Sequence, residues 1–318
     1  MKKIWRLVFL IIIIFICYAC ENQPASSEIL SRSSIVDRKD NTNQTEDLTP
    51  PTLQAKGWEQ PIPLIGPINT SGGEDSPFFD STRNALFFFF TPDTMIPAEE
   101  QVGDGFTGIY ISYFKNGEWS EPERIWLTEG TEHTLDGCPT VRGDMLWFCS
   151  IRDGNYRSID FWTATYDGEE WGNIHNAGQE LNEIIGIGEM DISNDNQTIL
   201  FHAALAGGMG ENDLWTTSLT PEGWNQPQNL GSINTEFDDS RPFYSDDNDE
   251  IWFTRTYQGS PAIYRSTWDG EEWSSPQLII SQFAGEPTID QEGNIYFAHH
   301  FVRDGKIYDA DIYIAYKK

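Results

Sequence analysis

A short motif that contains tryptophan returns along the chain at a nearly constant interval. It reads KNGEWSEP at 115–122, DGEEWGNI at 167–174, PEGWNQP at 221–227 and DGEEWSSP at 269–276. With the tryptophan of GWEQPIPL at 57–64, the series is Trp58, Trp119, Trp171, Trp224 and Trp273, and the spacings are 61, 52, 53 and 49 residues. A long fixed period with several short strands in each unit predicts a β-propeller, in which each repeat forms one four-stranded blade.

Each repeat contains the same four strand-like segments in the same order. The first follows an acidic residue and often contains proline, and the second is rich in aromatic residues. The third alternates between apolar and polar residues, and the fourth carries the tryptophan after an Asn-Gly or Asp-Gly turn. The first segments are EDSPFF at 74–79, DGCPTV at 136–141, GEMDIS at 188–193, DDSRPFY at 238–244 and GEPTID at 285–290. Five sets of segments predict five blades.

The order of the segments predicts how the ring closes. GWEQPIPL precedes any first segment, and the chain ends on the third-type segment DIYIAYKK. We therefore expect an all-β, five-bladed propeller over residues 57–318, in which the N-terminal strand completes the last blade beside residues 285–316 and removes the free sheet edges. Each repeated tryptophan is expected to bury its ring against its blade and to donate its indole N–H to a backbone oxygen.

The N-terminus has the features of a secreted, membrane-anchored protein. Residues 1–19 contain a basic leader and an apolar run of 13 residues, shorter than the ~20 residues that cross a bilayer, so a signal peptide is predicted. The segment before Cys20 resembles the lipobox of bacterial lipoproteins and implies a lipid on Cys20. Ordinary cleavage near Ala19, which leaves a free thiol, is the alternative. Residues 20–56 are polar and predict a flexible linker.

The charge of the chain limits its partners. The formal net charge is −30, and a field of that sign repels phosphate backbones. Nucleic acid is therefore excluded as an expected partner. The acidic surface serves solubility or, alternatively, the binding of cations.

The repeats carry a resemblance to a known family. The stretches PLIGPINTSGGEDSPFF and NLGSINTEFDDSRPFYSDDNDEIWFTR resemble the TolB-like, WD-like (PD40-type) propeller repeats of bacterial envelope lipoproteins. The resemblance covers residues 57–318 and implies a non-catalytic platform, lipid-anchored in the outer membrane, that binds an envelope protein or a saccharide. A structural subunit of an envelope complex is one alternative.

A glycoside hydrolase is the other alternative. First strands line the channel of a propeller, so their acidic residues and Arg241 are expected to converge at one mouth, where crowded carboxylates have raised pKa values and suit acid–base catalysis or a hard cation. These candidates are Glu74, Asp75, Asp136, Glu189, Asp239, Arg241 and Glu286. By analogy with five-bladed arabinanases, the catalytic residues would be Asp75, Asp136 and Glu189. The opposing interpretation is that each acid satisfies N–H groups of its own loop.

The remaining chemistry-bearing residues give weaker signals. No metal motif or cofactor is predicted, although Ca²⁺ at the carboxylates stays open, as does a metal pair formed by His202 and His299. Cys138 and Cys149 lie on neighbouring strands of one hairpin. The simple register places Cys149 opposite Gly137, so two buried thiols are expected, with a disulfide as the alternative. Possible aromatic walls of a pocket, otherwise core residues, are Phe90, Trp147, Tyr257 and Phe301.

Overall fold

The computed structural model describes residue 32 and residues 47–128, 134–184 and 189–318. The predicted signal peptide and Cys20 lie outside the described residues. Five antiparallel sheets of four or five strands make up the fold, which confirms the all-β, five-bladed propeller. Within the described residues, no helix is both long enough and apolar enough to span a membrane.

The strands are short and follow the predicted order. In chain order they are β1 (Thr52–Leu53), β2 (Ile62–Pro63), β3 (Gly73–Asp80), β4 (Ala85–Thr91), β5 (Gly108–Lys115), β6 (Glu118–Trp119), β7 (Glu123–Arg124), β8 (Leu135–Arg142), β9 (Met145–Ile151), β10 (Asp160–Tyr166), β11 (Trp171–Asn176), β12 (Met190–Ile192), β13 (Thr198–Ala203), β14 (Asp213–Thr220), β15 (Gly223–Trp224), β16 (Gln228–Asn229), β17 (Asp239–Tyr244), β18 (Glu250–Tyr257), β19 (Ser260–Thr267), β20 (Gln277–Ser281), β21 (Ala284–Ile289), β22 (Ile295–Arg303) and β23 (Lys306–Ala315). Helix α1 (Gln179–Ile184) and the 3₁₀ turns Ala98–Gln101 and Gly231–Ile233 lie in connections.

The blades follow the sequence repeats. Blade 1 is β3–β7, blade 2 is β8–β11, blade 3 is β12–β16, blade 4 is β17–β20 with β1, and blade 5 is β21–β23 with β2. The innermost strands are β3, β8, β12, β17 and β21. We call the face on which these inner strands begin the mouth face, and the face on which they end the opposite face.

The N-terminal segment closes the ring as predicted. Ile62 pairs with Ile314 of β23, and Trp58 forms an isolated bridge with Lys317. An additional contact begins before residue 57, because Thr52 pairs with Ser281 and adds β1 to blade 4. Regular structure therefore begins inside the segment that the sequence assigned to the linker.

The core consists of aromatic and branched residues that pack between neighbouring blades. The second strands supply fully buried rings, which include Phe87, Phe148, Phe201, Phe253 and Phe297, each 0% exposed. Burying a phenylalanine side chain stabilises the folded state by roughly 1.5–3 kcal/mol. These strands therefore hold the disc together and fix the positions of the inner strands.

The repeated tryptophans are less uniform than predicted. Trp58 is 3% exposed, and its indole N–H donates to the Gly293 carbonyl at 2.9 Å. Trp119, Trp171, Trp224 and Trp273 are only half-buried. Trp119, Trp171 and Trp224 lie on outer strands, and Trp273 forms an isolated bridge with Trp268.

The two cysteines of the domain form a disulfide, so the expectation of two thiols is wrong. Cys149 does pair with Gly137, but the register of β8 against β9 shifts between Gly137 and Thr140. Cys138 lies in this bulge with φ 52°, and its Cα is 5.5 Å from that of Cys149. The bulge thus brings together two sulfurs that a regular ladder would hold apart.

Candidate binding site at the channel mouth

A bulge near the start of the inner strand recurs in four blades and selects which side chain enters the channel. The residues in these bulges have positive φ and precede proline; they are Ser76, Cys138, Arg241 and Glu286. The pairing of each inner strand with its neighbour shifts register at the same point. In blade 3, Glu189 precedes Met190 at the corresponding place and also lines the channel. The left-handed residue interrupts the alternation of the strand, so its side chain points towards the axis.

The channel itself is narrow. Its free volume is about 40 Å³, and a buried water molecule needs roughly 10–15 Å³ measured in this way. The channel therefore has room for a few water molecules but not for a sugar ring. A larger ligand would have to rest on the mouth.

Arg241 links two carboxylates at the mouth. Its Nε lies 2.6 Å from a Glu286 carboxylate oxygen and 3.6 Å from a Glu189 oxygen. The Ser76 hydroxyl donates to the other Glu189 oxygen at 3.0 Å, and the Ser76 N–H donates to Glu286 at 2.8 Å. Side chains from blades 1, 3, 4 and 5 are thus joined in one network.

Asp75 and His300 extend this network towards solvent. The Asp75 carboxylate lies 3.4 Å from His300 Nε2, and its side chain is 33% exposed. Asp75, Glu286 and His300 each offer one ligand atom, and these atoms lie within 4.8 Å of one another. Three ligands could contact a divalent cation, but Ca²⁺ takes six to eight oxygens. Arg241 Nε also already occupies one Glu286 oxygen at 2.6 Å, which disfavours a second cation there.

The mouth carboxylates differ in proton affinity. Burial, followed by the neighbouring charges of Asp75 and Glu189, raises the pKa of Glu286 well above its usual value. Burial also raises the pKa of Glu189, against the opposing influence of Arg241. Burial acts in the same direction on Asp75, but the nearby His300 and Arg241 outweigh it and hold the pKa of Asp75 below its usual range. The three groups therefore favour a mixture of protonated and ionised forms.

Three other predicted residues lie inside the blades rather than at the mouth. Glu74, Asp136 and Asp239 are 0%, 4% and 0% exposed. Each accepts a hydrogen bond from a buried arginine, at 3.0 Å from Arg32, 2.6 Å from Arg152 and 2.5 Å from Arg255 respectively. Backbone N–H or hydroxyl donors nearby add further hydrogen bonds to these acids; they belong to Thr70, Thr134 and Thr235 in the connecting loops and to Ser150 on β9. These three acids are therefore bonded inside the disc and not at the mouth.

The three buried arginines occupy equivalent places in different blades. Each guanidinium carbon lies 4.8–5.7 Å from two ring centroids; the ring pairs are Phe88 and Tyr110, Phe148 and Trp162, and Phe253 and Tyr264. Arg152 directly follows the second strand of blade 2, and Arg255 lies near the end of the second strand of blade 4. Arg32 instead comes from the predicted linker and donates to Glu74 of blade 1. The N-terminal segment therefore contributes a side chain to the interior of the disc.

The histidines expected as a metal pair have separate structural partners. Burial lowers the pKa of His202 to about 4, and its Nδ1 accepts the Arg241 N–H at 3.2 Å. His299 contacts the Phe283 carbonyl and the Asp47 carboxylate at 3.0 and 3.1 Å. His202 supports the site indirectly, because it holds the backbone of Arg241 in its bulge.

Aromatic residues around the mouth differ from those considered in the sequence. Phe90 and Trp147 are core residues, 0% and 7% exposed, while Tyr257 and Phe301 are half-buried. Three other rings, in connections on the mouth face, are exposed: Trp126 at 49%, Tyr156 at 55% and Phe237 at 49%. These exposed rings lie in connections of the face that also carries the charged centre.

Two further members of the site, Ser76 and His300, were not found from the sequence. A signal for Ser76 was present, because four first strands contain a residue directly before proline: Ser76-Pro77, Cys138-Pro139, Arg241-Pro242 and Glu286-Pro287. His300 carries no such signal. It reaches Asp75 only because blade 5 closes against blade 1.

Comparisons with known proteins indicate the fold and nothing finer. A scan against models of protein families and a search of curated proteins both return no match. Among solved structures, the catalytic domain of an α-L-arabinofuranosidase of Coprinopsis cinerea is similar with a TM-score of 0.50 and 13% identity, over 82% of this chain and 97% of that one. An endo-arabinase of Bacteroides thetaiotaomicron has a TM-score of 0.47 and 14% identity, over 80% and 99% of the two chains. TolB from Acinetobacter baumannii has a TM-score of 0.45 and 13% identity, over 79% of this chain and 56% of TolB.

Proposed function

We propose that the protein is a non-catalytic binding platform of the bacterial cell envelope and that the channel mouth binds a saccharide. The observation that carries the proposal is the network of Asp75, Glu189, Arg241, Glu286 and His300 at one mouth. The planar groups of Arg241, Asp75 and Glu189 are partly exposed, and groups oriented by their neighbours in this way suit the donors and acceptors of sugar hydroxyls.

The surroundings of the network support a saccharide rather than an ion. The exposed rings of Trp126, Tyr156 and Phe237 lie on the same face and offer flat apolar surfaces, against which the C–H faces of a sugar ring pack. The narrow channel requires the ligand to lie across the mouth. An oligosaccharide that spans several blades fits this arrangement.

The proposed location in the cell envelope is supported by the N-terminal signal pattern and by the disulfide. The N-terminal signal pattern predicts a lipid on Cys20 and outer-membrane attachment, and a disulfide between Cys138 and Cys149 suits an oxidising compartment. The formal charge of −30 disfavours nucleic acid as a partner.

A glycoside hydrolase is the second candidate, favoured by the opposed pKa shifts of Asp75 and Glu286. One carboxylate held ionised beside another held protonated is the arrangement of a general base and a general acid. The catalytic set would be Asp75, Glu189 and Glu286, since Asp136 is paired with Arg152 inside blade 2. In the present arrangement, however, both Glu286 oxygens are engaged, one by Arg241 and one by the Ser76 N–H. This occupation favours binding over proton transfer.

A glycan array probed with the purified full-length protein tests the proposal. Wild type and the Glu271→Gln control, whose exposed side chain lies in a rim hairpin, should bind the same glycans. Glu189→Gln, at a side chain 22% exposed, should weaken that binding at least tenfold, because a charge-assisted hydrogen bond to a ligand is worth roughly 1.5–3 kcal/mol. Failure of the array to bind, or equal binding by Glu189→Gln, would overturn the proposal.

The same protein should be assayed for release of reducing ends from every glycan that it binds. The binding-platform proposal predicts no release by the wild-type protein. Release that disappears in Glu286→Gln but persists in Glu271→Gln would replace it with the hydrolase.

A further inference from the structure

On the opposite face, a basic side chain fills the space between two neighbouring blades, blades 1 and 2. Between blades 1 and 2, Arg83 extends from the turn after β3 to the hairpin of blade 2. Its guanidinium carbon lies 4.9 Å from the Tyr166 ring centroid and 5.2 Å from that of Trp171. It donates to the Gly143 carbonyl at 2.8 Å and to the Asp144 carboxylate at 2.7 Å. Cation–π contacts and charge-assisted hydrogen bonds together hold this side chain.

Basic side chains also lie at a second boundary between blades. Between blades 4 and 5, Lys317 Nζ lies 3.9 Å from the Trp58 ring centroid, and the Arg265 guanidinium carbon lies 5.7 Å from it. Trp58 is 3% exposed as a result of this covering and of Trp252. In both boundaries, a repeated tryptophan is thus next to an internal basic side chain.

The equivalent position between blades 3 and 4 is an open cleft. Its volume is about 320 Å³ and its lining is Ser193, Asp195, Thr198, Tyr244, Asn248, Trp268 and Trp273. The rings of Trp268 and Trp273 lie 5.3 Å apart at 55°, and Trp268 is 40% exposed. No basic residue is among the residues that line the cleft.

The sequence explains why this boundary is open. Leu86 pairs with Phe79 in blade 1, and Ile199 pairs with Ile192 in blade 3. Counted back three residues from these paired positions, Arg83 of blade 1 corresponds to Asn196 of blade 3. The turn at 193–198 contains no basic residue, so it supplies no cation to the two tryptophans.

The cleft presents acceptors to whatever enters it. The side-chain oxygen of Asn248 is buried and has no hydrogen-bond partner among the described residues. The Ser193 hydroxyl donates to Asp195 at 2.6 Å, and together with the Gln197 N–H it holds the pKa of Asp195 below its usual value. A buried acceptor without a partner costs free energy until a donor arrives. A group that carries N–H donors, a positive charge and a flat face therefore matches the lining of the cleft.

We propose that this cleft binds the guanidinium of an arginine side chain from a partner protein, placed as Arg83 is placed between blades 1 and 2. Arginine matches the cleft better than an ammonium ion does, because its planar group stacks on indole rings while its N–H groups reach the carboxylate and the amide oxygen. The formal charge of −30 attracts a basic partner to this surface. The inference concerns the opposite face and does not rest on saccharide binding at the mouth.

Fluorine NMR of the full-length protein labelled with 5-fluorotryptophan tests the proposal, with the Trp268 signal assigned by Trp268→Phe. N-acetyl-arginine amide should shift the Trp268 and Trp273 signals saturably. N-acetyl-citrulline amide, the neutral isostere, should bind at least tenfold more weakly. Asp195→Asn should weaken binding of the arginine compound several-fold, and Trp126→Phe, on the mouth face, should not change it.

Asn196→Arg provides an independent variant, because by strand register residue 196 corresponds to Arg83 of blade 1. It should shift the same two fluorine signals without ligand and abolish their response to the arginine compound. Equal responses to citrulline and arginine derivatives, or a response to methyl glucoside alone, would overturn the proposal. Tetramethylammonium binding as tight as that of the arginine compound would also overturn it, in favour of a small quaternary ammonium ligand.

Discussion

The substitution Asp239→Asn separates the structural acids from the mouth acids. Asp239 is fully buried and accepts hydrogen bonds from Arg255 Nε at 2.5 Å and from the Thr235 N–H at 2.6 Å. An asparagine can accept only one of them, and its amide donors would face either the guanidinium or the Thr235 N–H. Removal of one partner of a buried ion pair costs about 3–5 kcal/mol, which for a domain of this size lowers Tm by roughly 6–20 °C.

Urea and thermal unfolding of the full-length protein measure this effect. Glu236→Gln is the matched control, because its exposed side chain makes the same change of charge three residues away and should alter stability by less than about 0.5 kcal/mol. Glu189→Gln, at the partly exposed mouth, should behave like this control in unfolding while it weakens ligand binding. A loss below about 1 kcal/mol for Asp239→Asn would refute the assignment of Asp239 to the structural group.

Three further predictions concern the disulfide, the buried histidine and the N-terminal segment. Reduction, or Cys149→Ser, should lower the free energy of unfolding by about 3 kcal/mol, because the bond to Cys138 closes a loop with a sequence separation of 11; urea midpoints with and without dithiothreitol measure this. Burial lowers the pKa of His202 to about 4 from 6.5, so as the pH is lowered the unfolded chain is protonated first. The stability of the fold therefore decreases as the pH is lowered from 6.5 to 4, and His202→Gln should flatten this part of the pH–stability curve. Burial raises the pKa of Glu74 to about 8 against the opposing charge of Arg32, so the contribution of Glu74 to the stability of the folded protein decreases as the pH rises from 4.5 to 8. Arg32→Leu should therefore lower Tm more at pH 8 than at pH 5, and equal losses at the two pH values would contradict this pairing.

The number of blades and their closure were predictable because they depend on local patterns that repeat. Alternation, aromatic second strands and tight Asn-Gly or Asp-Gly turns specify strands and hairpins from neighbouring residues alone. A period near fifty residues then specifies how many such units the chain contains. The displaced order of the segments at the two ends was sufficient to predict that the strand at Ile62–Pro63 completes blade 5.

The membership of the site was only partly predictable. Glu189, Arg241 and Glu286 do line the channel, but Glu74, Asp136 and Asp239, which look alike in the sequence, lie inside the blades. A bulge of one residue separates the two groups, since it reverses which side chains of a strand face the channel. The same bulge explains the disulfide that the simple register disfavoured.

The amino-acid pattern alone specified an all-β ring of five repeats, because strand and turn preferences act between residues that are close along the chain. The partners of each charged group depended on packing across blades. Arg32 reaches Glu74 over 42 residues, Ser76 reaches Glu286 over 210 residues, and the cleft beside Trp268 is completed by Asp195 and Thr198 of the neighbouring blade. Such contacts are set by the closure of the ring in three dimensions, so no local preference in the chain encodes them.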